Sequence, residues 1–131
     1  MLRITIAAVL LNLTTAALAA GTCTAQSAAQ VPNVVELYTS EGCSSCPPAD
    51  RWLSTLKGRS DVLALGFHVT YWDQLGWPDR YATAATTQRQ HQWRQAHGGP
   101  YVYTPQIVLD GRDMRDWSSL RSGVLPKPKA S

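Results

Sequence analysis

Cysteine is scarce in this chain: Cys23, Cys43 and Cys46 are the three in 131 residues. No second C-x-x-C stands elsewhere to complete a structural zinc site. Beyond the one pair, only Cys23, His68, His91 and His97 remain as ligands, which argues against that chemistry. Pro47 follows Cys46, and this excludes the C-x-x-C-H arrangement of covalent haem attachment. Charge of one sign is also scarce. Twelve Lys+Arg face nine Asp+Glu, and the basic residues are scattered apart from Pro126-Lys127-Pro128-Lys129. That mild surplus is no nucleic-acid footprint. Long apolar runs are missing as well: Ile4 to Leu13 is too short for a comfortable membrane span. The length leaves room for one domain.

What the N-terminus does have is the pattern of an export signal over residues 1–19. Arg3 is its basic end, and Ala17-Leu18-Ala19 is its small-x-small cleavage site. Removing it leaves 11 Lys+Arg (12 minus Arg3) against 9 Asp+Glu, a net charge of +2. Residues 20–32 read as a disordered polar leader, in which Cys23 is incidental or forms an intermolecular disulfide. The folded domain is expected over 33–120, with a disordered tail over 121–131. Export, to the periplasm or beyond, places the cysteines in an oxidising compartment.

Cys43-Ser44-Ser45-Cys46 stands between an apolar run and a proline-started helix. Two thiols at this spacing can close a disulfide across one turn. The first lies over the unpaired N–H groups and positive dipole end of the helix. That setting favours a thiolate, and the pair reads first as a redox centre. A permanently oxidised structural disulfide is the competing reading.

The elements around it alternate. Val34–Thr39 is a β-branched and aromatic strand. Pro47 and Pro48 open a helix that runs to about Lys57, with Ala49, Trp52, Leu53 and Leu56 as its apolar stripe and Gly58 as its stop. Val62–Val69 is apolar on both alternations, the pattern of a strand buried on both faces. A Trp- and Gly-rich loop spans Tyr71 to Asp79, and a weakly amphipathic helix spans Tyr81 to His97. Thr104-Pro105 then leads into the strand Gln106–Leu109 and an Asp110-Gly111 turn. An X-Pro bond placed there is a candidate for the cis form.

This order resembles the thioredoxin fold: an α/β domain with a central mixed sheet and flanking helices. The resemblance implies that Pro105 is cis and lies against the cysteine pair. It also implies that Glu36, in Val35-Glu36-Leu37-Tyr38, is the counterpart of the buried strand acid. The alternative for Glu36 is a solvent-facing strand residue. The run from Val35 to Asp50, together with Phe67-His68-Val69, Tyr71-Trp72-Asp73, Leu75-Gly76-Trp77 and Val102-Tyr103-Thr104-Pro105-Gln106, is similar to the secreted thioredoxin-like proteins of the domain-of-unknown-function 1223 family. That likeness covers about residues 33–112. Members continue well beyond the Asp-Gly turn, whereas 21 residues (131 minus 110) follow Asp110 here. The C-terminus is therefore expected to be truncated or altered, with Met114–Leu120 supplying the second hairpin strand.

The expected function is an envelope thiol–disulfide oxidoreductase without a cofactor. In it Cys43 is the exposed attacking thiolate, Cys46 the resolving thiol, Pro105 the edge for a partner polypeptide, and Glu36 the proton carrier for Cys46. Its partners would be thiol- or disulfide-containing envelope proteins or small thiols. No nucleic acid and no stable membrane insertion are expected. Two alternatives stand beside it: a soft-metal, Cu(I)-binding protein using the same thiolates, and a redox-inactive thioredoxin-like remnant. His68 reads as a satisfied core residue. His91 and His97, six apart on different helix faces, make no metal pair.

Overall fold

A computed structural model describes residues 30–127 and 129–130. The export signal and Cys23 lie outside those residues. The elements in chain order are β1 (Gln30–Val31), β2 (Asn33–Thr39), α1 (Pro47–Thr55), β3 (Val62–His68), a 3₁₀ turn (Thr70–Leu75), α2 (Ala84–Ala96), β4 (Gln106–Leu109), β5 (Arg112–Asp113), a second 3₁₀ turn (Trp117–Ser122) and β6 (Lys129–Ala130). Four strands form one mixed sheet in the order β3-β2-β4-β5. β2 pairs parallel with β3, and β4 pairs antiparallel with both β2 and β5. With helices on its faces this is the expected thioredoxin-like α/β architecture. β1 and β6 make a separate two-stranded ribbon, so paired backbone extends past both ends of the expected 33–120 domain.

Alternation along β2 assigns the two faces. Val35 and Leu37 join Ala49, Trp52 and Leu56 of α1, Val62 of β3, and Ile107 and Leu109 of β4 in the larger core. Tyr38 joins Val69 and Val108 in a smaller core, lined by Phe67, Tyr71, Trp72 and Trp93. Residues 35, 37 and 39 therefore face α1, and residues 34, 36 and 38 face α2.

Several boundaries differ from expectation for local reasons. β3 is an edge strand, exposed at several positions and not buried on both faces; its Leu63 is 47% exposed. Among the described residues no strand covers its outer side, so its continuous apolar run misleads. α2 starts at Ala84 and not at Tyr81, because Thr83 and Thr86 exchange reciprocal side-chain-to-backbone hydrogen bonds of 3.1 Å that cap the helix there. The single fully buried residue of α2 is polar. Gln90 donates to Tyr103 O at 2.8 Å and to Gln106 Oε1 at 2.9 Å, which explains the weak apolar pattern of this helix. The second hairpin strand is Arg112–Asp113 and not Met114–Leu120. Asp110 (φ 48°) and Gly111 (φ 81°) form a two-residue reversal, so pairing resumes at once. The 3₁₀ turn that follows puts Leu120 into the larger core. Trp52 Nε1 donates to Leu120 O at 3.1 Å and so ties this segment to α1. No helix among the described residues is long and apolar enough to cross a membrane.

Candidate functional site

The site sits where β2 ends. Its chain leaves the sheet at Thr39, turns through Ser40-Glu41-Gly42, and enters α1 by way of the two cysteines. Cys43 N–H donates to Ser40 O at 3.1 Å, and Cys46 N–H donates to Cys43 O at 3.2 Å. Cys46 is the N-cap of α1 with helical backbone angles (φ −77°, ψ −33°). Cys43 and Cys46 are joined in a disulfide with Cα atoms 5.4 Å apart. A side chain at Gly42 would be tight. A Cβ there would lie 3.3 Å from Trp72 Cβ and 3.4 Å from Trp77 O, so the Trp-rich loop packs directly against the cysteine turn.

Two expectations about the first cysteine change. It is 2% exposed and so is not an open helix-start residue, although Ser44 and Ser45 beside it are exposed; Cys46 is fully covered. Nor does Cys43 face a ring of free helix N–H groups. Pro47 and Pro48 have none, and those of Ala49 and Asp50 donate to Cys46 O at 2.9 and 3.1 Å. The donors near its sulfur are hydroxyls instead. Thr104 Oγ1 donates to Cys43 Sγ at 3.3 Å, and Ser45 Oγ lies 3.5 Å away. Thr104 is held in turn, accepting from Trp72 Nε1 at 2.8 Å.

The Thr104–Pro105 peptide bond is cis. Gln106 pairs with Tyr38 across β4 and β2, so the preceding Thr104-Pro105 falls beside the end of β2 from which the cysteine turn departs. Cys43, Cys46 and the Thr104–Pro105 bond are thus brought together. Glu36 is not. Its place between Val35 and Leu37 sends it to the α2 face, where it is 6% exposed and forms an ion pair with Arg89. It is neither beneath the cysteine pair nor facing solvent. The physical reason is alternation: Val35 and Leu37 face α1, so Glu36 between them faces α2.

His68 is partly exposed and bonded to Asp79, with Nδ1 2.5 Å from Asp79 Oδ2. The Asp79 side chain is fully covered, and it also accepts from Glu41 N–H and Tyr81 N–H, each at 2.8 Å. It thereby ties the turn before Cys43 to the end of β3 and to the Trp-rich loop. Burial alone would raise the Asp79 carboxyl, but those donors outweigh it and hold the group below the ordinary carboxylate range. Sequence reasoning missed Asp79 and Thr104. The one available signal for Thr104 was its place directly before Pro105, and Asp79 had none. His97 stacks on Trp93 with ring centroids 4.3 Å apart. Among the described residues no group of three or more His, Cys, Asp and Glu could hold a metal ion.

Comparison with known proteins adds the family. No curated protein matches the chain. An X-ray crystal structure of a protein from Agrobacterium tumefaciens is similar, with 44% sequence identity and a TM-score of 0.63; the match covers 76% of this chain and 45% of the other. The chain thus spans less than half the length of that solved relative. A family model described as a protein of unknown function, DUF1223, matches residues 34–124, a stretch containing both paired cysteines and the cis proline. The chain belongs to the DUF1223 family.

Proposed function

We propose that this protein is a thiol–disulfide oxidoreductase of the cell envelope. The observation that carries the reading is the Cys43–Cys46 disulfide at a strand-to-helix turn, with the hydroxyl of Thr104, next to cis Pro105, donating to Cys43 Sγ. Both cysteines are buried, but Cys43 has hydroxyls beside its sulfur to stabilise a thiolate, so it is assigned as the attacking sulfur. Cys46 is fully covered and resolves. Pro105 shapes the chain beside Cys43 on which a partner polypeptide docks. Substrates are disulfide- or thiol-containing envelope proteins or small thiols, reached after export directed by residues 1–19. Glu36 takes no part, since it lies on the other face of the sheet with Arg89.

Catalysed reduction of a protein disulfide in a glutathione or dithiothreitol buffer tests this. Cys43→Ser is expected to abolish turnover, and Cys46→Ser to accumulate mixed disulfides visible by mass spectrometry. Exchange that persists in Cys43→Ser would defeat the assignment.

A further inference from the structure

Cys46 is 0% exposed, yet to resolve a mixed disulfide it has to give up a proton. Five carboxylates stand near this end of the sheet, Glu36, Glu41, Asp50, Asp73 and Asp79; Glu41 is exposed, and Asp73 Oδ1 accepts from Asp79 N–H at 3.0 Å. Glu36 is on the α2 face, paired with Arg89. Asp79 already accepts from Glu41 N–H, Tyr81 N–H and His68, which leaves it a poor proton acceptor. Asp50 remains. It lies four residues beyond Cys46 in continuous helical backbone, its own N–H donating to Cys46 O at 3.1 Å, so the two side chains share one face of the helix. That face meets the sheet at Thr39, whose hydroxyl donates to Asp50 Oδ1 at 2.7 Å. Thr39 is 2% exposed, whereas Asp50 is partly exposed. Asp50 Oδ2 accepts no hydrogen bond among the described residues. The carboxylate is thus held by a covered strand residue, keeps a second oxygen without a hydrogen bond among the described residues, and is partly exposed on the helix face it shares with Cys46.

We infer that Asp50, oriented by Thr39, is the proton acceptor for Cys46 in the resolving step. This rests on the oxidoreductase reading. In the mixed disulfide Cys43–S–S–R, the Cys46 thiol passes its proton to the Asp50 carboxylate, directly or through one water. The Cys46 thiolate then attacks Cys43 Sγ. The Cys43–Cys46 bond forms as the bond from Cys43 to the substrate sulfur breaks, and its electron pair leaves on RS⁻. Asp50 returns the proton to that thiolate through solvent. The cysteine pair is oxidised by two electrons and the substrate sulfur is reduced. An external thiol restores the dithiol. In the opposite direction Asp50 reprotonates Cys46 as it leaves. The other charged groups at this end are the His68–Asp79 pair, Asp73, exposed Glu41 and, on the other face of the sheet, the Glu36–Arg89 pair; Thr39 and Thr104 face the site without charge.

Stopped-flow reaction of the reduced full chain, in a Cys23→Ser background, with 5,5′-dithiobis(2-nitrobenzoate) separates the two steps. The first thionitrobenzoate reports attack by Cys43 in a bimolecular phase. The second reports resolution by Cys46 in a unimolecular phase. Asp50→Asn keeps an oxygen to accept the Thr39 hydrogen bond but accepts no proton. It is expected to leave the first phase within about threefold of the parent and slow the second roughly a hundredfold at neutral pH, the size of a general-base contribution. The slowed phase should then rise steadily with pH as hydroxide takes over, and Asp50→Glu should recover much of the rate. A second phase in Asp50→Asn equal to the parent across the pH range overturns the inference, and so does equal slowing of both phases. A parent protein that lacks the second phase altogether removes the oxidoreductase reading itself.

Discussion

Thr104→Val tests what sets the reactivity of Cys43. Because Pro47 and Pro48 carry no N–H and the next two are bonded to Cys46 O, the hydroxyl of Thr104 at 3.3 Å is the donor that reaches Cys43 Sγ from outside the cysteine turn. A hydrogen bond to a charged acceptor contributes about 1.5 kcal/mol net at the low end of its range. The same bond to a neutral thiol contributes less, so its loss falls mainly on the thiolate. About 1.4 kcal/mol is tenfold in an equilibrium. Below the thiol's titration range, Thr104→Val should therefore hold about one-tenth as much Cys43 thiolate and react with iodoacetamide about tenfold more slowly. At pH values where both proteins are fully ionised the difference should close. Thr104→Ser keeps the hydroxyl and should behave as the parent. Losing the hydroxyl also leaves Trp72 Nε1 without its acceptor at 2.8 Å, so the melting temperature is measured in parallel. Alkylation within twofold of the parent at every pH would refute the argument, and the helix dipole alone would then have to account for the thiolate.

Glu36→Gln should leave exchange kinetics unchanged and cost about 1–3 kcal/mol of stability, because it breaks a nearly covered carboxylate's pair with half-exposed Arg89; thermal melting beside the turnover assay checks both. Acid should loosen the cysteine turn through Asp79. Its folded-state carboxyl is held below the unfolded value, so its contribution is fully present above the unfolded value near 4 and is lost as pH falls through the folded one. Melting between pH 7 and pH 2 should show that loss, and Asp79→Asn should show lower stability at pH 7 with a shallower acid limb.

The parts of the fold legible in the sequence were those written in local patterns. Val34–Thr39, the proline-opened helix and Gln106–Leu109 carry β-branched runs, an apolar stripe and turn residues, and each was found within a residue or two. What escaped was decided by neighbours distant in the chain. Val62–His68 looks buried on both faces, but strand order puts it at the edge. Gln90 looks like a gap in an amphipathic helix until Tyr103 O and the Gln106 side chain meet it. The cysteine pair was visible as a motif, whereas the cis form of Thr104–Pro105 was implied only by the thioredoxin resemblance. The face on which Glu36 lies follows from alternation along β2, whose register is set by partners distant in the chain. Asp50 closes the run that begins at Val35, and its meaning requires Thr39 across the helix–sheet interface.

The most direct test of the central claim is the reduction potential of the Cys43–Cys46 pair in the purified protein, equilibrated with glutathione buffers and trapped by alkylation. Exchange chemistry predicts a reversible potential within about −270 to −120 mV, the span of known thiol oxidoreductases. A pair that stays oxidised in every buffer, with a potential below about −300 mV, would make it a structural staple and contradict the account.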